Sequence, residues 1–186
     1  MEENKLDDSL REAEKIASFL ADEGIACVVI GAMALAAHRY VRYTQDVDLG
    51  VNADLKQMRG LLEGLRSNGY DAEFREPDAD DPLGGVIDIT GPFGIVQIVS
   101  FENRFPAAIT DALNGEVILA APYKKLRVMP IPQLVALKLY AGGWKSLTDV
   151  LELLRHNPEL DLTEIGETCR KYRIRGWEKV MEELGS

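Results

Sequence analysis

Two aspartates one residue apart, Asp46 and Asp48, stand inside an otherwise apolar run, QDVDLGV over residues 45 to 51. The run alternates at period two and reads as a strand. Residues two apart on a strand share a face, so both carboxylates emerge on the same side. Like charges that close repel, and an apolar setting adds the cost of lost hydration. A divalent cation removes the conflict. Mg²⁺ takes one or two protein carboxylates and completes its octahedron with phosphate oxygens and water. Val47, Leu49 and Val51 carry the strand into a core, which places the aspartates near its end.

The residues upstream fit the same chemistry. ACVVI (26–30) has no polar side chain beyond a thiol and reads as a buried strand. Gly31 follows at once, and AMALAAHRY (32–40) has helix formers and no breaker. A strand that turns directly into a helix leaves free backbone N–H groups, and a residue without Cβ lets an anion approach them. A phosphate cradle at Gly31 and Ala32, 15 residues ahead of a metal-binding carboxylate pair, supplies the parts for phosphoryl or nucleotidyl transfer.

Around this centre, Leu6, Leu10, Ala13, Ile16, Ala17 and Leu20 form one helical stripe, stopped by Gly24. Leu55, Met58, Leu61, Leu62 and Leu65 form another, ended by Gly69. PDADDPLGG (77–85) is a loop by composition. VIDIT and IVQIVSF are strands of a hairpin turned at GPFG. A short helix over about 107–113 precedes two further strands, GEVIL and KKLRVM. From Pro130 on the pattern is helical: PIPQLVALKLYAGG, SLTDVLELLRH, DLTEIGETCRKY with Asp161 and Glu164 spaced as a capping box, and a last helix near 176–184. The fold class is α/β in the α+β sense, a mixed sheet flanked by helices with a helical C-terminal part. The expected division is a core over 1–120 and a strand-plus-helix region over 121–186.

Composition narrows the function classes. Of the 186 residues 46% are hydrophobic and 28% charged, as in a globular protein, and the net charge of −10 argues against a surface built for broad nucleic-acid binding. Local basic clusters remain in YKKLR (123–127) and CRKYRIR (169–175), patches of the kind an RNA acceptor would need. The start MEENKLDDS is acidic, unlike a signal peptide, and the longest apolar run is too short to span a bilayer. A cytoplasmic protein with no membrane partner is expected. Cys27 and Cys169 lack metal or redox spacing, and two histidines, His38 and His156, are too few for a histidine-based metal site.

The order strand, glycine, helix, D-x-D strand resembles the nucleotidyltransferase superfold of DNA polymerase β, with its hG[GS] turn and Dh[DE]h strand. Within it, VIGAMALAAH, RYTQDVDLGV, PIPQLVALKLYAGG and LTDVLELL resemble the AbiEii/AbiGii-like nucleotidyltransferases of toxin–antitoxin systems, over roughly residues 25 to 155. The resemblance implies transfer of a nucleoside monophosphate from an NTP to an acceptor hydroxyl on an RNA end or a protein, with Mg²⁺ or Mn²⁺ and possible pairing with an antitoxin. The alternative is a catalytically impaired member that binds nucleotide or a partner. Ala32 replaces the second Gly or Ser of the turn, and Ser146 replaces the first acid of the DxxD segment, leaving Asp149. Resemblance also gives Lys138 a role on the nucleotide phosphates with Asp149 orienting it. The bland reading is a Lys138–Asp149 ion pair between helices.

The superfold adds a third acid on a neighbouring strand, and two positions compete. Asp88 lies in VIDIT, while Gln97 lies in IVQIVSF where element order places the acid. If residues 91–94 form the loop, the two are directly opposite and share a face. Asp88 is thus the candidate third catalytic and metal-binding acid beside Asp46 and Asp48, with Gln97 the other occupant of that position. An amide there could not act as a base. Arg42 and Thr44, just ahead of the D-x-D strand, could contact phosphate or only solvent. Trp144, after two glycines, could stack on a base, though packing is the commoner role.

Overall fold

The stripe from Leu6 to Leu20 forms α1 (Glu2–Asp22), which buries Ile16 and Leu20 against strands β2 and β5 introduced below. The protein is described here by a computed structural model covering residues 2–44, 46–78, 83–115, 118–120 and 122–185. Gly24 adopts φ +75° just after α1, and the Ile25 amide donates back to the Leu20 carbonyl, a Schellman closure.

The apolar run becomes β1 (Cys27–Ile30), followed without a break by α2 (Gly31–Ala37) and then by β2 (Asp46–Val51). Gln45, expected as the first residue of that strand, lies outside the described residues. After α3 (Leu55–Ser67) come β3 (Asp71–Arg75), β4 (Val86–Gly91) and β5 (Gly94–Ser100), then α4 (Pro106–Asn114) and the two-residue strands β6 (Ile118–Leu119) and β7 (Arg127–Val128). Four helices close the chain: α5 (Ile131–Ala141), α6 (Gly143–Arg155), α7 (Leu162–Lys171) and α8 (Trp177–Gly185).

The strands form one seven-stranded mixed sheet in the order β3-β4-β5-β2-β1-β7-β6. β1 and β2 are antiparallel with Ile30 opposite Asp48, and β2 runs parallel to β5 with Asp48 opposite Gln97. The next pairing sets Gln97 opposite Asp88, and the one after sets Asp88 opposite Glu73. Helix α5 packs on α4, α6 and α7, and α8 packs on α6. A single apolar core runs from α1 through the sheet into these helices.

Several expectations need correction. The strand β3 was not foreseen: its alternation is short and its outward residues Asp71, Glu73 and Arg75 are all charged and exposed. The helix expected to reach Tyr40 ends at Ala37. Arg39 turns left-handed at φ +70°, and the Tyr40 amide closes onto the Leu35 carbonyl. KKLRVM contributes only Arg127 and Val128 as strand; of GEVIL, only Ile118 and Leu119 pair, and residues 116 and 117 lie outside the described residues. Residues 79–82 of the PDADDPLGG loop also lie outside them. Helix α6 starts three residues early, at Gly143. Asp161 caps α7 through the Thr163 amide at 2.8 Å rather than through the spacing to Glu164, whereas a full capping box, Asp54 with Gln57, opens α3.

Candidate active site

The aspartate pair sits at the first turn of the sheet's central strand. Asp46 and Asp48 share one face of β2 and are half-buried, while Val47 and Leu49 on the other face are fully buried. The aspartate face continues to Gly50, where an added Cβ would press on Ile109, Ile30 and Phe101. The core therefore closes immediately behind the carboxylates and limits their hydration.

Gly31 explains how Asp48 fits. Because Ile30 pairs with Asp48, the next residue lies over the carboxylate. A Cβ built on Gly31 would stand 1.9 Å from Asp48 Oδ2, and the residue holds φ +64°. The absent side chain makes room first for this carboxylate, a constraint the sequence assigned to an incoming anion.

Burial, and then the negative charge of Asp46, push the Asp48 carboxyl up to about 6, against the opposing pull of Lys138, Arg42 and Lys145. Among the described residues no side-chain hydrogen bond or ion pair reaches either carboxylate. Thr44 turns its hydroxyl to the Asp46 backbone, accepting from the Asp46 amide at 3.3 Å. Two hard oxygen donors, close together and without a cationic partner in contact, match the donor set that a divalent cation takes.

The cations near the pair are organised by a third aspartate. Asp149 on α6 is 2% exposed and accepts from Lys138 Nζ at 2.7 Å, with Arg42 Nε 3.2 Å from its other oxygen. Arg42 was foreseen only as a phosphate or solvent contact. Its partner lies 107 residues away, so no local signal could have named it. Lys138, Gly31 and Ser146 line a cleft of about 450 Å³ whose apolar wall includes Phe101, Leu134 and Tyr140. Ala32 is buried on α2 behind Gly31.

Asp88 does not join the pair. Gln97 is the direct neighbour of Asp48, and Asp88 lies one strand further, about 10 Å from Asp48 between Cα atoms at two strand spacings. Its carboxylate accepts from Gln97 Nε2 and pairs with Arg75, whose Nε is 2.5 Å away. Burial raises its pKa, but the hydrogen bonds from Arg75 and Gln97 outweigh this and hold it below the ordinary carboxylate value. Among the described residues no three of His, Cys, Asp and Glu come together to hold a metal ion, so the expected triad of Asp46, Asp48 and Asp88 does not assemble. Asp88 and Gln97 do face each other across the hairpin, as the loop length implied. The partner that captures Asp88, Arg75, sits on the strand that sequence reasoning missed; the alternation DAEFR was its signal.

Other singled-out residues fall elsewhere. His38 is buried with Nε2 2.8 Å from the Met129 carbonyl, and burial lowers its pKa despite that bond. Burial pushes the Cys27 thiol up to about 12 and the Cys169 thiol to about 11, leaving both inert as nucleophiles. Trp144, expected to pack, is 83% exposed, and Lys179 Nζ lies 5.5 Å from its ring centroid. No described helix is long and apolar enough to cross a membrane.

No protein-family model matches the sequence, and no curated protein matches it. Solved structures do. The antibiotic-resistance factor ANT(2'')-Ia, in a crystal structure in complex with adenylyl-2''-tobramycin, superposes with a TM-score of 0.55 at 12% identity, over 88% of this chain and 95% of that one. Its solution structure gives 0.54 at 16% identity, over 86% and 88%. An antigenic nucleotidyltransferase-like protein from Paracoccidioides brasiliensis gives 0.53 at 17% identity, over 89% and 87%. At such identities the likeness is one of architecture, and in architecture the chain is a nucleotidyltransferase-like α+β fold.

Proposed function

We propose that the protein is a nucleotidyltransferase that moves a nucleoside monophosphate from an NTP to an acceptor hydroxyl. The observation that carries the reading is the pair Asp46 and Asp48, crowded onto one face beside Gly31 and a cleft, with no cation in contact. In this reading the two carboxylates hold Mg²⁺ or Mn²⁺, which when bound would neutralise triphosphate charge. Lys138, fixed by Asp149, presents an ammonium to the departing pyrophosphate. The backbone at Gly31 and Ala32 takes a phosphate oxygen, and the wall of Phe101, Leu134 and Tyr140 receives the base. The acceptor oxygen bonds to the α-phosphorus as the bond to pyrophosphate breaks, so the chain's contribution is positioning and charge. Kinship with the AbiEii/AbiGii-like group rests on the α5 and α6 motifs, and only the roles of Lys138 and Asp149 are carried over from it.

The sheet register favours a second reading. Gln97 stands where a third acid beside Asp48 would stand, and Asp88 is held by Arg75. An amide takes no proton from an attacking hydroxyl. A protein that binds nucleotide and transfers it slowly, or only binds, fits that arrangement.

Calorimetric titration of Mg²⁺ with ATP, GTP, CTP and UTP into wild type and Asp46→Ala/Asp48→Ala tests the site. Metal-dependent binding lost in the variant supports it, and labelled-nucleotide transfer then separates the two readings. No binding to the folded wild type overturns both.

A further inference from the structure

The cleft beside Gly31 continues past Lys138. It shares that residue with a hollow of about 240 Å³ formed by Trp144, Leu147 and Lys179. A third hollow of about 420 Å³, around Arg104, Tyr172, Arg173 and Arg175, shares Tyr140 with the first and Leu139 with the second. The three form one trough along the end of α5. Its described lining residues include five cations (Lys138, Lys179, Arg104, Arg173 and Arg175) and no acid. In a chain with 31 acidic residues against 21 Lys and Arg, such a stretch is a local reversal of sign.

These cations are not spent on internal partners. Lys138 is matched by Asp149, but Arg104, Arg173 and Arg175 enter no ion pair among the described residues. Arg173 also sits where the chain elsewhere uses glycine. After α1 and α3 the left-handed closing residue is Gly24 or Gly69; after α7 it is Arg173 at φ +57°, with the Ile174 amide closing onto the Cys169 carbonyl. Beside the cations stand aromatic faces open to solvent: Trp144 at 83% exposure and Tyr140 at 37%.

We propose that this trough receives the acceptor, and that the acceptor is a single-stranded nucleic acid. Phosphates lie on Arg104, Arg173 and Arg175, a base stacks on Trp144, and the strand's terminal hydroxyl points toward the aspartate pair. Alternating cations and exposed rings are what a flexible polyanion with π-faces requires. A polycationic small acceptor, such as the aminoglycoside in the ANT(2'')-Ia complex, would be repelled by the same charges. An acidic peptide would satisfy the cations and leave the ring faces unused. The inference rests on the nucleotidyl-transfer reading for the direction of the strand and not for the binding itself.

The test is fluorescence anisotropy of a labelled mixed-sequence single-stranded RNA of about 12 nucleotides, a length within OB-fold-like single-strand site sizes. Arg173→Gly/Arg175→Gln suits it, because glycine relieves the left-handed backbone and the variant cannot fail simply by misfolding. Wild type should bind with log K falling linearly in log salt, and the variant should lose about 1.4 from that slope at ~0.7 per lost phosphate contact. Affinity at low salt should fall about tenfold or more. Trp144→Ala should weaken binding at least ~5-fold with the slope unchanged. Equal affinity and slope in all three proteins overturns the inference, as does competition by polyglutamate as strong as by RNA, which would indicate an acidic protein partner. Calorimetry of Mg²⁺ with NTP on the same samples keeps the two readings apart. NTP binding without RNA binding overturns the trough alone; RNA binding without NTP binding upholds the trough and removes the transferase reading.

Discussion

Replacing Asp48 with Asn should make the protein more stable and its site useless. In the folded chain burial and Asp46 raise the Asp48 carboxyl from 3.8 to about 6. The sign follows from proton counting. Between those two values the folded state binds more protons than the unfolded one, so stability falls as pH rises through that window. Below about pH 4 the carboxyl is neutral in both states and resembles an amide. Two pK units correspond to roughly 3 kcal/mol at 1.36 kcal/mol each, and partial exposure of the site reduces this to about 2 kcal/mol.

Asn has the shape of Asp and keeps the space left by Gly31, so the substitution removes charge without opening a cavity. Urea unfolding in metal-free buffer should give equal stabilities at pH 4 and an advantage of about 2 kcal/mol to the variant at pH 7.5. For a chain of this length that is roughly 4–8 °C in Tm. Millimolar Mg²⁺ should narrow the gap at pH 7.5 by binding only the wild type. A variant no more stable at pH 7.5, or a difference that persists at pH 4, refutes the account of Asp48 as a strained charge.

Three other substitutions probe the surroundings of the pair. Gly31→Ala should cost about 2–4 kcal/mol from its left-handed backbone and its clash with Asp48 Oδ2, falling to about 1–2 kcal/mol in an Asp48→Ala background; a urea-based double-mutant cycle without coupling contradicts the contact. Asp149→Ala leaves Lys138 and Arg42 facing each other and should cost about 2–4 kcal/mol by the same assay, with Lys138→Met/Asp149→Leu recovering most of the loss but not nucleotide binding. Arg39→Gly should raise stability by about 0.5–1 kcal/mol, since relief of its φ of +70° outweighs the exposed pair with Glu159; a lower Tm would show that pair to matter more than exposed pairs do.

How much of this was legible depends on how far apart the interacting residues are in the chain. The stripes of α1 and α3 and the strand–glycine–helix order are local patterns, and periodicity exposes them. The D-x-D strand announced itself because two charges in an apolar run need a reason. That Asp88 faces Gln97 was also readable, since the register of a hairpin follows from its turn: Gly91 pairs with Gly94 and the rest follows. Which of the two stands beside Asp48 was not readable. That is set by the parallel pairing of β2 with β5, joined by a long connection through α3, β3 and β4, and no turn fixes such a register. The same distance hid the Arg42–Asp149 contact and the gathering of Arg104, Lys138, Arg173, Arg175 and Lys179 into one trough.

That division has a physical consequence for how the site would work. The acids that need a cation, Asp46 and Asp48, are fixed by local sequence and sit at the inner end of the cleft. The cations that would draw in a polyanion come from four helical or loop segments that meet only in the fold. Unfolding disperses the trough completely while leaving the D-x-D motif intact in the chain. Binding of a nucleic acid should therefore disappear with tertiary structure under mild urea, in step with loss of the near-UV signal of Trp144 and Trp177. Weak cation binding by the two adjacent carboxylates should outlast it. Loss of both at the same urea concentration would mean that the pair, too, depends on the fold, through the space that Gly31 leaves for Asp48.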